Sequence, residues 1–155
     1  MAKFRFGLEK VLGYRKTLEE LAQRDFSEAQ AYLNSEIDVL DKMKQVRLEA
    51  FENRYQRQVQ GGATSEALSQ VHDFLKGQDL RIKIQSKKIQ DIEKQVEELR
   101  SILRAKAVDT KIMEGLKERK RDEFRVEQKK REQKQLDDIA TTRFRSKDAD
   151  EENGL

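Results

Sequence analysis

Gly61-Gly62-Ala63-Thr64-Ser65 is the stretch that decides the fold of this chain. It separates two long stretches of helical periodicity and is the only convincing break between them. Glycine tolerates positive φ and costs about 1 kcal/mol relative to alanine inside a helix, so a turn is its natural place. Thr64 or Ser65 is then placed to cap the second helix. The sequence therefore predicts an all-α fold, in which two long helices form an antiparallel coiled-coil hairpin.

The first helix, expected over about residues 5–59, carries an apolar stripe with spacings of four, four and three residues. This is an eleven-residue repeat of about 3.67 residues per turn, which predicts a nearly straight helix or a slight right-handed supercoil. Lys44 is the only polar interruption. The stripe consists of Ala22, Phe26, Ala29, Leu33, Ile37, Leu40, Leu48 and Phe51.

The second helix, expected over about residues 65–143, follows a seven-residue repeat, which predicts a left-handed coiled coil. Gln78 and Gln85 occupy two positions of its apolar seam, where polar residues weaken packing but help to fix the register. Beyond Leu103 the seam deteriorates, because polar residues such as Thr110 and Lys117 take core positions. The apolar members of the seam are Val71, Leu75, Ile82, Ile89, Ile92, Val96, Leu99 and Leu103.

The two expected helices differ in length. The first, of about 52 residues when counted from Leu8, spans roughly 80 Å, and the second, of about 79 residues, spans nearer 120 Å at 1.5 Å per residue. Folding at the glycine turn places Leu8 near Gly115 and lets the second helix project beyond the first. We therefore expect one hairpin domain over residues 1–145, followed by an acidic, disordered tail at 146–155.

Composition argues against an enzyme. With 41% charged residues, 35% hydrophobic residues and no Pro or Trp, the chain is too polar for a thick globular core. It has one His, no Cys and no glycine-rich phosphate loop, so we expect no catalytic residues, no cofactor and no metal site. His72 is expected on the surface. No run approaches the roughly 18 apolar residues of a membrane span, and we expect no membrane insertion.

The end of the hairpin that carries the chain termini is expected to bind a protein partner. Residues 117–134 contain nine Lys or Arg and five acidic residues, and the N-terminal segment adds basic residues together with the aromatic Phe4 and Phe6. A positive field beside exposed aromatic side chains suits a protein interface. Nucleic acid is not expected, because acidic residues interleave with the basic ones along the helix. An RNA-binding hairpin nevertheless stays an alternative.

Three motifs resemble the FliJ family of flagellar export proteins. They are the opening Phe4-x-Phe6-x-Leu8-x-x-Val11-Leu12-x-x-Arg15, the Asp73-Phe74-Leu75 that follows the turn, and a closing stretch. The closing stretch begins at Met113-Glu114-x-Leu116-Lys117-Glu118 and ends with Leu136-Asp137-Asp138-Ile139-Ala140-Thr141-Thr142-Arg143. The similarity covers nearly the whole chain, in order and at the expected length.

The resemblance implies a cytoplasmic, non-enzymatic component of the flagellar type III export apparatus, peripherally associated with the inner membrane at the flagellar base. Its fold would be an antiparallel coiled coil similar to the stalk of rotary ATP synthases. The implied partners are the hexameric export ATPase FliI, the export gate protein FlhA and substrate chaperones, with FliH as a further candidate. We expect the chain alone to be monomeric. The alternatives are the equivalent stalk protein of an injectisome and a generic self-associating coiled-coil scaffold.

The resemblance also implies two sets of site residues. The expected ATPase-binding residues are Phe4, Phe6, Leu8, Leu12, Arg15, Met113, Leu116, Phe124, Leu136 and Arg143. For Leu8, Leu12, Met113 and Leu116, packing against one another is an equal alternative, whereas Phe124, Leu136 and Arg143 are expected in the unpaired projection. The expected gate-binding residues are Phe74, Gln78, Arg81 and Gln85, of which the last three are more polar than the family pattern.

Overall fold

Two long helices make up the fold. The computed structural model describes the backbone of residues 3–152 and the side chains of residues 3–144. Helix α1 (Glu9–Gln60) and helix α2 (Ser65–Glu152) pack against each other as a hairpin, and the described part of the chain contains no strand. The predicted all-α class is confirmed.

The chain forms two compact units, which we call the central unit and the terminal unit. The central unit comprises Thr17–Ala107 and contains the turn between the helices. The terminal unit combines Met1–Lys16 with Val108–Leu155. Each unit therefore pairs a segment from the first half of the chain with one from the second half.

Local hydrogen bonds fix the helix ends. The Glu9 amide donates to the Phe6 carbonyl (3.2 Å), so residues 5–8, which were expected in the first helix, form a lead-in and turn instead. Gly61 follows the last residue of α1 with φ of 74°, the left-handed conformation that glycine adopts at helix C-termini. At the start of α2, the Thr64 hydroxyl accepts a bond from the Ala67 amide (3.3 Å). Of the two residues that the sequence offered as caps, Thr64 and Ser65, it is Thr64 that caps the helix.

Helix α2 continues past its expected end. The prediction placed that end near residue 143 and a disordered tail at 146–155, whereas the helix reaches Glu152. The stretch from Arg143 to Glu152 contains neither Gly nor Pro, and the next helix breaker is Gly154. High charge alone does not end a helix when no residue interrupts its backbone hydrogen bonds. Residues 153–155 of the predicted tail lie outside the described residues.

The hydrophobic core of the central unit follows the predicted seam of α2. Ile89, Ile92 and Val96 are buried against Leu33 and Leu40 of α1. Partly buried side chains that pack around this cluster are Phe26, Ala29, Ile37 and Ile82. The heptad positions predicted for α2 are therefore the ones that meet α1.

The eleven-residue repeat predicted for α1 holds only as far as Leu40. Leu48 and Phe51 belong to that repeat, yet both are exposed. The positions that turn inward are Met43, Arg47, Ala50 and Arg54, which alternate spacings of four and three. Because α2 presents a seven-residue seam, the facing side of α1 must follow the same period, whatever its own apolar residues favour.

Two buried glutamines form polar layers within this core. Gln78 is 5% exposed and donates its side-chain amide to the Met43 carbonyl (3.1 Å). Gln85 is 8% exposed and donates to both the backbone carbonyl (3.1 Å) and the carboxylate (2.6 Å) of Glu36. The Lys88 ammonium lies 2.9 Å from the same carboxylate. The bond from Gln85, followed by that from Lys88, holds the pKa of the Glu36 carboxyl below its usual range.

Candidate functional site

In the terminal unit, the N-terminal segment before α1 packs on α2. The rings of Phe4 and Phe124 lie with centroids 5.7 Å apart and planes tilted by 51°. A tilted pair at this distance is a favourable aromatic arrangement. Phe124 was expected to be unpaired, and this expectation was wrong because the segment before α1 folds back onto α2 and half-buries its ring.

A cleft of about 440 Å³ lies between this segment and α2. Its apolar wall combines Phe4, Phe6, Leu8, Leu116 and Phe124. Its remaining lining residues are Arg5, Gly7, Lys120, Glu123 and Glu127. Five residues of the predicted ATPase-binding set therefore share one surface depression, which an apolar side chain of a partner fits in size.

Ion pairs tie α1 to α2 beside this cleft. Arg15 contacts Asp109 (2.6 Å), and Lys16 contacts Glu114 (2.8 Å). A third pair joins Glu9 to Lys117 at 2.8 Å. The bond from Lys16 holds the pKa of the Glu114 carboxyl below its usual range. Arg15, one of the predicted partner-binding residues, thus already has a carboxylate partner within the unit.

Other members of the predicted ATPase-binding set take part in the packing of the two segments. Leu12 is only 3% exposed and belongs to the core of the terminal unit. Met113 and Leu116 are half-buried, while Leu8 is exposed. For Leu12, mutual packing, which the sequence left open, is therefore the interpretation that burial supports.

Farther along α2, apolar side chains stand exposed on the helix surface. Leu136 is 66% exposed and Ile139 is 51% exposed. Leu136, Ile139 and the exposed Arg143 are spaced three and four residues apart, so they share one face of the helix. Sequence reasoning selected Leu136 and Arg143 but omitted Ile139, although the i, i+3 spacing from Leu136 is a signal for it.

The predicted gate-binding residues do not form one exposed surface. Phe74 and Arg81 are exposed, whereas Gln78 and Gln85 are buried in the polar layers described above. A guanidinium nitrogen of Arg81 donates to the side-chain amide oxygen of Gln78 (3.3 Å), which links the surface to the seam. The prediction that Gln78 and Gln85 bind a partner was therefore wrong, because a residue at a seam position of α2 faces α1.

The described residues offer neither a metal site nor a membrane span. The described residues contain no group of three or more His, Cys, Asp or Glu that could hold a metal ion. His72 is exposed, as expected. Neither helix, over its described residues, has a segment long and apolar enough to cross a membrane.

Fold and surfaces together define a class of protein: an all-α helical hairpin whose exposed apolar residues lie along helix faces and in open clefts. A family model described as Flagellar FliJ protein matches residues 4–149. The chain belongs to this family, which makes it a protein related to flagellar export. Comparisons with curated proteins and with solved structures found no match.

Proposed function

We propose that this chain is a non-enzymatic adaptor of the flagellar type III export apparatus. Its terminal unit binds the hexameric export ATPase FliI, and its central unit binds the gate protein FlhA and substrate chaperones, with FliH as a further partner. It acts in the cytoplasm, peripherally associated with the inner membrane. Membership of the family supports the setting. The observation that carries the ATPase contact is the exposed face Leu136, Ile139 and Arg143 on α2.

This face has the composition of an interface. Full burial of a Leu or Ile side chain contributes about 1.5–3 kcal/mol, and a partner can gain the half to two thirds of this that Leu136 and Ile139 still expose. Arginine beside apolar anchors is a common feature of binding hot spots. Leu136 and Ile139 are more than half exposed. A partner can therefore cover them without breaking contacts that stabilise the hairpin.

The cleft beside Phe4 supplies a second part of the same contact. It opens between the segment before α1 and α2, and its wall carries Phe6 and Leu116. Lys120 and Arg5 line it as well and favour an acidic rim on the partner. Phe124 contributes through its packing on Phe4, so its replacement would disturb the segment as well as the surface.

The rate of ATP hydrolysis by the purified export ATPase, with and without this protein, tests the proposal. A Leu136→Ala, Ile139→Ala double variant removes the exposed face. Leu80→Ala, Ile84→Ala is its matched control, because Leu80 (60% exposed) and Ile84 (62% exposed) also lie on the surface of α2. We expect stimulation and ring assembly with the natural chain and with the control, and a loss of at least tenfold in apparent affinity with the double variant.

Two results would contradict this assignment. Absence of both binding and stimulation by the natural chain would remove the ATPase as a partner. Full stimulation by the Leu136→Ala, Ile139→Ala variant would keep the partner but exclude this face. Circular dichroism of each variant verifies that helicity is unchanged.

The gate contact uses the exposed Phe74 and Arg81 and not the two buried glutamines. Leu48, Phe51 and Tyr55 add an exposed apolar stripe on α1 of the same unit. A pull-down with FlhA tests Phe74→Asp against Val59→Asp, a control at another exposed apolar position. We expect only Phe74→Asp to lose the gate protein, and equal retention of both variants would exclude Phe74.

The second candidate function is a self-associating scaffold. The exposed face on α2 that carries the ATPase proposal also suits a second copy of this chain, since helix faces pair readily with one another. Sedimentation velocity over a range of concentrations separates the two. A constant monomeric mass favours the adaptor, and a mass that rises with concentration and falls in the Leu136→Ala, Ile139→Ala variant favours the scaffold.

A further inference from the structure

A second cleft, in the central unit near the turn, has a chemistry of its own. It measures about 300 Å³ and lies between the last part of α1 and the first part of α2. Its lining combines two arginines and two amides with a small apolar wall. The lining residues are Ala50, Asn53, Arg54, Arg57, Gln70, Val71 and Phe74.

One arginine of this cleft has an unsatisfied donor. The Nε atom of Arg54 is buried, and no hydrogen-bond acceptor lies within reach of it among the described residues. A buried donor without an acceptor costs free energy, more so in a charged group. In this position Nε is closed to a ligand, so an acceptor recovers that cost only when the Arg54 side chain turns toward the cleft that it lines. A carboxylate is the acceptor whose geometry matches a guanidinium edge.

The charge of the lining points to the same ligand. All four polar side chains of the cleft can donate hydrogen bonds, two of them carry a positive charge, and none of the lining residues is acidic. Arg57 also lines a neighbouring cleft of about 380 Å³ at the start of α2, beside Thr64 and Ala67. The two clefts therefore share the positive charge of Arg57.

The apolar wall distinguishes a peptide from a simple anion. Val71 and the exposed ring of Phe74 lie beside the arginines, and a small inorganic ion would leave them in contact with water. An acidic peptide segment with an apolar residue next to its carboxylates fills both parts of the cleft. Its carboxylates would meet Arg54 and Arg57, which are three residues apart and so lie on one side of α1.

We propose that the Arg54–Arg57–Phe74 cleft is a docking site for an acidic segment of a partner protein. The Arg54 side chain turns its Nε edge to one carboxylate, a second carboxylate binds Arg57, and an apolar side chain packs on Val71 and Phe74. This site rests on the proposed gate contact only because both include Phe74. It goes beyond that contact by specifying an acidic segment as the ligand. It does not involve the terminal unit or the ATPase contact.

Nuclear magnetic resonance of the arginine Nε–Hε groups tests the site in the full chain. The probe is the peptide acetyl-Leu-Ser-Glu-Ser-Glu-amide, whose alternate side chains face one way when it is extended, and the control is the same peptide with Gln in place of Glu. The Arg54 signal is assigned by its disappearance in Arg54→Lys. We expect that signal to shift in a saturable manner with the Glu peptide and not with the Gln peptide.

Matched variants complete the test. Arg54→Lys and Arg57→Lys keep the positive charge but lose the guanidinium, so each should lower the affinity for the Glu peptide by about tenfold. The affinity is measured from the shifts of the backbone amide signals of Val71 and Phe74. Arg104→Lys, at an exposed arginine of α2 outside the cleft, should leave the affinity unchanged. A static Arg54 signal, or equal shifts with both peptides, would overturn the site. ATPase stimulation by Arg54→Lys should stay normal, so failure here is distinct from failure of the ATPase contact.

Discussion

Gln85 binds Glu36 twice, through the backbone carbonyl at 3.1 Å and the side-chain carboxylate at 2.6 Å, so one buried amide engages both polar groups of a residue on the opposite helix. The Lys88 ammonium adds a third contact at 2.9 Å. The carboxylate is thereby stabilised in its charged form, which lowers the pKa of Glu36 in the folded chain.

This pairing predicts a pH dependence of stability. Because the pKa of Glu36 is lower in the folded chain than in the unfolded chain, its contribution is fully present above the unfolded-state pKa. It is lost as the pH falls through the folded-state pKa. We expect Glu36→Gln to have a lower urea midpoint than the natural chain at neutral pH. The difference between the two midpoints should shrink as the pH falls through the acid range.

Glu28→Gln is the control for that experiment. Glu28 is exposed, and its contact with Arg24 lies within one helix at 3.8 Å. Such surface pairs contribute little to folding. A parallel loss of stability in both variants at every pH would contradict the role given to Glu36.

Replacement of the other buried glutamine should stabilise the hairpin. Gln78→Leu places an apolar side chain in a buried seam position, and the Met43 carbonyl that loses its side-chain donor lies within α1. We expect a gain of about 1 kcal/mol in the free energy of unfolding, measured by urea denaturation. A loss of stability would show that the bond from Gln78 contributes more than burial of an apolar side chain.

The two turn glycines should differ in their tolerance of alanine. Gly61 has a φ of 74°, where a β-carbon is unfavourable by about 1–2 kcal/mol, whereas Gly62 lacks a positive φ and has open space where a β-carbon would be added. We expect Gly61→Ala to lower the free energy of unfolding by about 1 kcal/mol and Gly62→Ala to change it little. Equal effects of the two substitutions would contradict the assignment of Gly61 as the helix C-cap.

Loss of the Phe124 ring should release the segment before α1. Phe124→Ala removes the ring on which Phe4 packs. We expect trypsin to cleave after Arg5 several-fold faster in this variant, because local opening of the segment becomes easier. Phe144→Ala, at an exposed ring of the same helix, should leave the rate unchanged. Identical cleavage rates in the natural chain and Phe124→Ala would indicate that other contacts hold the segment.

The periodicity of the sequence predicted α2 better than α1. The seam of α2 repeats without a change of phase from Leu75 to Val96, so its buried face is visible in the sequence itself. In α1, Leu48 and Phe51 continue an apolar pattern that points away from α2. Which face of a helix is buried is decided by its partner, and a single stripe read in isolation does not contain that information.

For the candidate sites too, local sequence patterns predicted some features, while others depended on residues distant in the sequence. The contact between Phe4 and Phe124 joins residues that are distant in sequence, and no local pattern indicates it. For Gln78 and Gln85, the heptad pattern and the family resemblance made incompatible predictions, a seam position and a partner contact. Burial supports the seam. The resemblance identified the family, while the accessible residues on each surface required the structure.

The polar layers of the seam nearly repeat themselves after one heptad. If α2 slid by seven residues along α1, Gln78 would take the place of Gln85 beside Glu36, and Arg81 would take that of Lys88. The slipped form would therefore keep an equivalent local network. It would, however, lose the ion pair between Arg47 and Asp79, because His72 would stand in the place of Asp79. It would also bring Gln85 to the apolar position of Ile92. Alignment of the two helices thus depends on features that do not recur after seven residues, above all the glycine turn and the apolar Ile92. A chain in which Ile92 became Gln would therefore be the one most prone to slide.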